Sequence, residues 1–146
     1  MITVEKIMTP HVLSVDMDVT LKEVRDIFEH VRFHHIVVLD NGRLAGIISD
    51  RDLFKAVSPY ASTQSERPRD AATLRKRVHQ FMTRKPISIG VDSSVLEAIR
   101  SFIDHKVSCL PVLNEDGSIA GILTWRDILQ AIVVTAEKAH VNEQKM

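Results

Sequence analysis

Gly46-Ile47-Ile48-Ser49-Asp50-Arg51-Asp52 and Gly121-Ile122-Leu123-Thr124-Trp125-Arg126-Asp127 are two copies of one pattern: a glycine, two aliphatic residues, a hydroxyl residue and an Arg-Asp pair. Each reads as an apolar strand running into a helix, because hydroxyl-x-x-carboxylate is the spacing of a capping box. The same groups also suit a nucleotide. A carboxylate can accept two hydrogen bonds from a ribose diol, a hydroxyl can add a third, and a guanidinium can pair with phosphate. A helix N-terminus adds N–H donors and a partial positive charge. The glycine is expected to let a ligand approach the backbone closely. Either copy alone predicts only a helix start; the duplication in equivalent places moves the reading toward a ligand site.

Working outward, the duplication extends over most of the chain. Val4-Glu5-Lys6-Ile7-Met8-Thr9 returns as Val78-His79-Gln80-Phe81-Met82-Thr83, a shift of 74 residues. Thr20-Leu21-Lys22-Glu23 maps onto Ser94-Val95-Leu96-Glu97, and Ile36-Val37-Val38-Leu39 onto Leu110-Pro111-Val112-Leu113. One extra turn residue then makes the shift 75. Thr20-x-x-Glu23 and Ser94-x-x-Glu97 are further capping boxes. The helices they open carry apolar residues at three- and four-residue steps: Leu21, Val24, Ile27 and Phe28 in one, Val95, Ala98, Ile99 and Phe102 in the other. Two short apolar runs follow, joined at Asn41-Gly42 in the first copy, where both residue types tolerate the positive φ of a tight hairpin. A last helix starts near Ser49 or Thr124. Each unit is strand, helix, strand, strand, helix, so the fold class is α/β in the mixed α+β sense, built from two tandem βαββα repeats.

The expected domains are residues 1–57 for repeat 1, 58–77 for a linker, 78–135 for repeat 2 and 136–146 for a C-terminal tail. Ser58 to Arg69 is polar and turn-rich and has no core by composition; the spacing of Leu74, Val78 and Phe81 predicts a short helix over 70–80. Arg67, Arg69 and Arg75-Lys76-Arg77 form a basic stretch, read as a solvated helix face with nucleic-acid binding as the rival.

Composition excludes several classes. In 146 residues, 19 Lys and Arg balance 19 Asp and Glu, which argues against a general nucleic-acid partner. No stretch is apolar for the length of a membrane span, and the start of the sequence lacks a signal-peptide pattern, so the expected location is cytoplasmic. Cys109, the single cysteine, is expected as a buried free thiol. His30, His34 and His35 invite a metal, but the first helix is expected to end between His30 and His34, and no metal site is expected. No nucleophile elbow occurs, and neither Cys109 nor any serine has a base at an informative spacing, so no catalysis is expected.

With Met-Thr near the start of each copy, the paired apolar strands and the Gly-x-x-Ser/Thr-x-x-Asp before each last helix, the chain resembles a tandem pair of CBS domains over about residues 1–57 and 78–135. That resemblance implies a pseudo-twofold regulatory module that senses adenine nucleotides in two clefts. The ligand would be AMP, ADP, ATP or S-adenosylmethionine, and homodimerisation is frequent. It implies that Asp52 and Asp127 hold ribose, that Ser49 and Thr124 assist, and that Arg51 and Arg126 meet phosphate. The adenine would read backbone groups at Val12, Leu13 and Ser14, and at Ile87, Ser88 and Ile89. Arg84 and Lys85 are expected to add positive charge to the second cleft, where Trp125 also replaces the acidic Asp50, and that cleft is expected to be the tighter for a phosphorylated ligand. A regulated partner protein is implied but not identified. The remaining readings are a dimerisation scaffold with vestigial clefts and a nucleic-acid binder through the basic linker.

Overall fold

Asn41 and Gly42 both have positive φ, 51° and 80°, the combination that a two-residue hairpin needs to match the twist of its strands. They join β2 (His35–Asp40) to β3 (Arg43–Ser49), antiparallel neighbours in a four-stranded sheet of order β1-β2-β3-β4. β1 (Ser14–Asp16) lies parallel to β2, and β4 (Thr83–Arg84) antiparallel to β3. The equivalent strands of the second copy, β5 (Ile89–Gly90), β6 (Cys109–Leu113) and β7 (Ile119–Thr124), form a three-stranded sheet in that order, with β5 and β6 parallel. Between β1 and β2 runs α1 (Leu21–His30), and between β5 and β6 runs α4 (Val95–His105); α2 (Asp50–Ala56) follows β3, and α5 (Trp125–Gln144) follows β7. The computed structural model describes residues 2–145.

The capping boxes act as expected at three of the four helix starts. Thr20, Ser49 and Thr124 each accept from the backbone N–H three residues on, and the carboxylate there accepts from the cap's own N–H. Ser94 makes only the first of these bonds, to the Glu97 N–H. The C-terminal segment 136–146, set apart in the sequence as a tail, continues α5 to Gln144.

Two compact units divide the chain at places the repeat does not mark. One is Leu13–Pro86; the other joins Met1–Val12 to Ile87–Met146. Each unit therefore contains the opening segment of the other copy. In the first, the 3-10 turn Val78–Gln80 sits at the head of α1: the Val78 N–H donates to Val19 O at 2.9 Å, and the Leu21 N–H to Lys76 O at 2.9 Å. In the second, the 3-10 turn Val4–Lys6 does the same at the head of α4, with Val4 N–H to Ser93 O at 2.8 Å and Val95 N–H to Ile2 O at 3.3 Å. These bonds occupy helix-start donors that have no partner inside the helix. Val78 and Met82 are buried in the core of Leu21, Val24, Ile36, Val38, Ile48 and Leu53. Val4 is buried with Ala98, Phe102, Leu110, Val112, Leu123 and Ile128.

The motif glycines make this exchange possible. A Cβ on Gly121 would lie 2.5 Å from the carbonyl oxygen of Thr9, and one on Gly46 would lie 2.8 Å from that of Thr83. The expectation that these glycines admit a ligand is thus corrected: the Met-Thr segment lies where their side chains would be.

The linker differs from its sequence reading as well. Instead of a helix over 70–80, α3 spans Pro68–Thr73, with the proline in its first turn and Asp70 accepting from the Arg67 N–H at 2.8 Å. It stops there because the next carbonyls turn outward to α1: Leu74 O accepts from Lys22 N–H and Lys76 O from Leu21 N–H. Asp70 is buried and also accepts from the Ser58 hydroxyl at 2.7 Å. The Ser58 hydroxyl and the Arg67 N–H hold its carboxyl below the usual range. With Ala61 and Leu74 also buried, the linker is anchored in its own unit. Among the described residues, no helix is long and apolar enough to cross a membrane.

Gly121→Ala must move backbone, so a cost of about 1–3 kcal/mol is expected. At roughly 2–4 °C per kcal/mol for a chain of this size, the melting temperature should fall by several degrees in a thermal melt. An unchanged melting temperature would refute the close-approach argument. Cys109 is a free, buried thiol, and burial, with the nearby Asp127 carboxylate, pushes it up to about 12. It is therefore protonated at pH 8, and a thiol reagent such as Ellman's should react in the native protein far more slowly than after unfolding.

Candidate functional site

A strand that ends in a capped helix presents a hydroxyl, a carboxylate and a free helix N-terminus within a few residues, and each unit has one such junction. At the end of β3, Ser49 Oγ accepts from the Asp52 N–H at 3.1 Å, and Asp52 Oδ2 accepts from the Ser49 N–H at 2.9 Å. Asp52 Oδ1 has no hydrogen bond among the described residues. At the end of β7, Asp127 Oδ2 accepts from the Thr124 N–H at 3.0 Å and from its hydroxyl at 3.3 Å. Here Oδ1 is engaged as well, by the hydroxyl of Thr9 at 3.1 Å. Arg51 and Arg126 are both exposed and form no ion pair among the described residues.

The structure sorts the expected site residues by unit. Leu13, Ser14, Ser49, Arg51 and Asp52 belong to Leu13–Pro86, whereas Val12, Ile87, Ser88, Thr124, Arg126 and Asp127 belong to the other unit. Arg84 and Lys85, expected to add charge to the second cleft, are part of Leu13–Pro86. Arg84 pairs with Gly46 across β4 and β3, and its guanidinium donates to His79 O at 3.2 Å; the Lys85 N–H donates to Ala45 O at 3.3 Å. Sequence position had grouped them with the second copy, but the exchange of opening segments carries them to the first sheet.

Asp50, expected to repel phosphate, is matched by a histidine: its Oδ2 is 2.8 Å from His34 Nδ1. His35 begins β2 opposite Ser49, and burial lowers its pKa, with Asp50 acting in the opposite direction. Among the described residues, no group of three or more His, Cys, Asp or Glu side chains is arranged to hold a metal. The basic linker is partly committed to the fold, since Arg77 donates to Asp18 O at 2.6 Å and the Lys76 ammonium lies 5.4 Å from the Phe81 ring centre.

The stretches expected to meet adenine differ in one backbone group. Leu13 O accepts from the Val37 N–H at 3.0 Å. The equivalent donor in the other copy is Pro111, which has no N–H, so Ile87 O lacks that partner and β5 is a residue shorter than β1.

Thr9 was absent from the sequence-based site. The recurrence of Met8-Thr9 as Met82-Thr83 was visible, but it was read only as a marker of the repeat. The information that it meets the carboxylate of the other copy lies in the chain exchange.

Comparison with known proteins gives a consistent answer. The family model described as "CBS domain" matches residues 4–59 and again 78–134. A CBS domain-containing protein of Dictyostelium discoideum is 31% identical over 138 residues, covering 93% of this chain and 94% of that one. The crystal structure of CBSX2 in complex with AMP superposes with a TM-score of 0.73 at 26% identity, covering 92% of this chain and 98% of that one. The cytosolic domain of the Mg2+ channel MgtE in complex with ATP gives 0.68 at 29% identity, over 85% of this chain and 46% of that one. Some relatives are much longer: the chain spans 27% of the magnesium transporter MgtE of Thermus thermophilus. With both copies matched by the family model, and with paired sheets, capped helices and superposable relatives, the chain belongs to the CBS-domain family as a tandem pair.

Proposed function

We propose that this chain is a regulatory module that binds an adenine nucleotide (AMP, ADP or ATP), acts by binding rather than by catalysis, and passes the signal to a partner protein. The observation that carries the proposal is the pair of half-buried carboxylates, Asp52 and Asp127, each beside a hydroxyl at a helix N-terminus with an uncommitted arginine one residue away. In this reading Asp52 and Asp127 accept from the ribose diol, Ser49 and Thr124 assist, and Arg51 and Arg126 meet phosphate. Backbone groups of Val12, Leu13 and Ser14 in the first repeat, and of Ile87 and Ser88 in the second, read the adenine. Two relatives at 26% and 29% identity, CBSX2 with AMP and the MgtE cytosolic domain with ATP, support the ligand class.

The two halves are not equivalent in this proposal. The Asp127 half has the open Ile87 carbonyl for the base and a carboxylate held by two threonines, so it is assigned the tighter ribose and base contacts. The Asp52 half has Arg84 and Lys85 in its unit, and its Asp50 carboxylate is hydrogen-bonded to the His34 ring.

The module is further proposed to be a homodimer. On α4 and α5, Ile103, Trp125 and Leu129 are 68%, 58% and 60% exposed and line one apolar hollow with Ile99, Phe102 and Ile128. Ile132 and Val133 extend the exposed apolar surface along α5. A contiguous surface of this kind is what an interface between chains removes from water.

Asp127→Asn keeps an oxygen for the Thr124 N–H but loses the charge. AMP affinity measured by calorimetry should fall roughly ten- to a hundredfold, corresponding to charge-assisted bonds of about 1.5–3 kcal/mol. Unchanged affinity would reduce Asp127 to a helix cap. Light scattering should give about twice the chain mass of 16.5 kDa, and Leu129→Glu should return it to a single chain. A wild-type monomer at micromolar concentration would remove the dimer from the proposal.

A further inference from the structure

Thr9 is joined to β7 by two backbone hydrogen bonds, its N–H to Ile122 O at 2.8 Å and the Ile122 N–H to its own carbonyl at 3.0 Å. Both its position and the direction of its Cα–Cβ bond are therefore set by the backbone. From there its hydroxyl reaches Asp127 Oδ1 at 3.1 Å and Oδ2 at 3.4 Å, across 118 residues of sequence. Thr124 holds the other edge of the same carboxylate. With one edge held by Thr124 and the other by Thr9, the carboxylate plane cannot turn freely about its last torsion.

Thr83 is the counterpart of Thr9 in the repeat, and its backbone pairs with Ile47 as that of Thr9 pairs with Ile122. Yet no hydrogen bond joins Thr83 to Asp52 among the described residues, and Asp52 is held at one oxygen only. A sequence difference accompanies this one. Pro10 follows Thr9 and has no N–H to extend the pairing, so contact with β7 ends in a single bridge; Arg84 follows Thr83 and extends it into β4.

We propose that Thr9 is a positioning residue for Asp127: it fixes the carboxylate so that the remaining lone pair of Oδ1 faces a hydroxyl of the ribose diol, so that diol recognition in this half depends on a residue from the opening segment of the chain. The proposal rests on the assignment of Asp127 to ribose. A diol hydroxyl can bond that lone pair only when the carboxylate plane faces it, and a group held on both edges loses less freedom on binding than one held on a single edge. Thr9 itself need not touch the ligand. Its hydroxyl also retains lone pairs while it donates, and that donation leaves the second lone pair of Oδ1 available to the ligand.

The test uses the full chain in an Asp52→Asn background, which leaves the Asp127 half as the responding site. Two probes are titrated by calorimetry: AMP, and 2′,3′-dideoxy-AMP, which lacks the diol. Thr9→Val removes the hydroxyl at nearly constant shape and should weaken AMP about tenfold while leaving dideoxy-AMP unchanged. Thr9→Ser should retain AMP affinity. Should Thr9→Val fail to fold, Thr9→Ala carries the same expectation. Thr83→Val in an Asp127→Asn background should leave AMP affinity unchanged. AMP affinity unaltered by Thr9→Val, or an equal loss for both probes, overturns the positioning role and leaves Thr9 as a packing residue. If Asp127→Asn itself fails to weaken AMP relative to dideoxy-AMP, the ribose assignment falls, and the role of Thr9 falls with it.

Discussion

Two backbones lie too close at Gly46 and Gly121 for any side chain to fit between them, and much of the molecule follows from that. The carbonyls of Thr83 and Thr9 occupy the space a Cβ would need. Because those threonines open the opposite repeat, each close approach stitches the start of one copy to the last strand of the other. Val78 and Met82 then enter the core under the first sheet, and Val4 enters the core under the second. The helix-start donors of α1 and α4 are met by the carbonyls of Lys76 and Ile2, as backbone groups removed from water must be. Neither core is completed by its own repeat, so the duplication is a condition of folding.

That exchange also marks where the sequence stops being informative. Local chemistry was readable because it is decided within a few residues: Thr20, Ser49 and Thr124 cap helices as their spacing predicts, and Asn41-Gly42 makes the hairpin. Cys109 is buried as its apolar neighbours imply. Non-local partners were not readable. Arg84 and Lys85 follow the second Met-Thr in sequence but lie in the first copy's unit, and nothing in their spacing encodes it. The helix predicted over 70–80 had acceptable periodicity, yet the carbonyls of Leu74 and Lys76 are drawn to donors on α1, more than fifty residues away. Tertiary hydrogen bonds outweighed a weak local preference.

The capped carboxylates show why a structural and a functional reading of one motif need not compete. A capping box uses one oxygen of the carboxylate, as Asp52 Oδ2 demonstrates, and leaves the other for something else. The cap fixes where the free oxygen points, while the helix start supplies the positive end of a dipole beside it. A motif that first serves folding thus presents a preorganised acceptor. The sequence pattern that predicts the helix start is the same pattern that draws attention to a ligand.

Divergence between the copies is concentrated where a backbone donor or a charge is at stake. Val37 supplies an N–H to Leu13 O, whereas Pro111 leaves Ile87 O without it. Arg84 extends the pairing of β4 with β3, whereas Pro10 ends it after Thr9. Asp50 is paired with His34, whereas Trp125 stands exposed beside the apolar face of α5. The core positions are conserved in kind between the copies, as Leu21 with Val95, Ile36 with Leu110 and Ile48 with Leu123 illustrate. Packing fixes those positions from both sides, so a change there is felt by the whole unit. A proline or a charge at the edge of a sheet alters one hydrogen bond and leaves the core intact. Two halves of the same architecture can therefore acquire different binding chemistry by changing only the residues that border their caps.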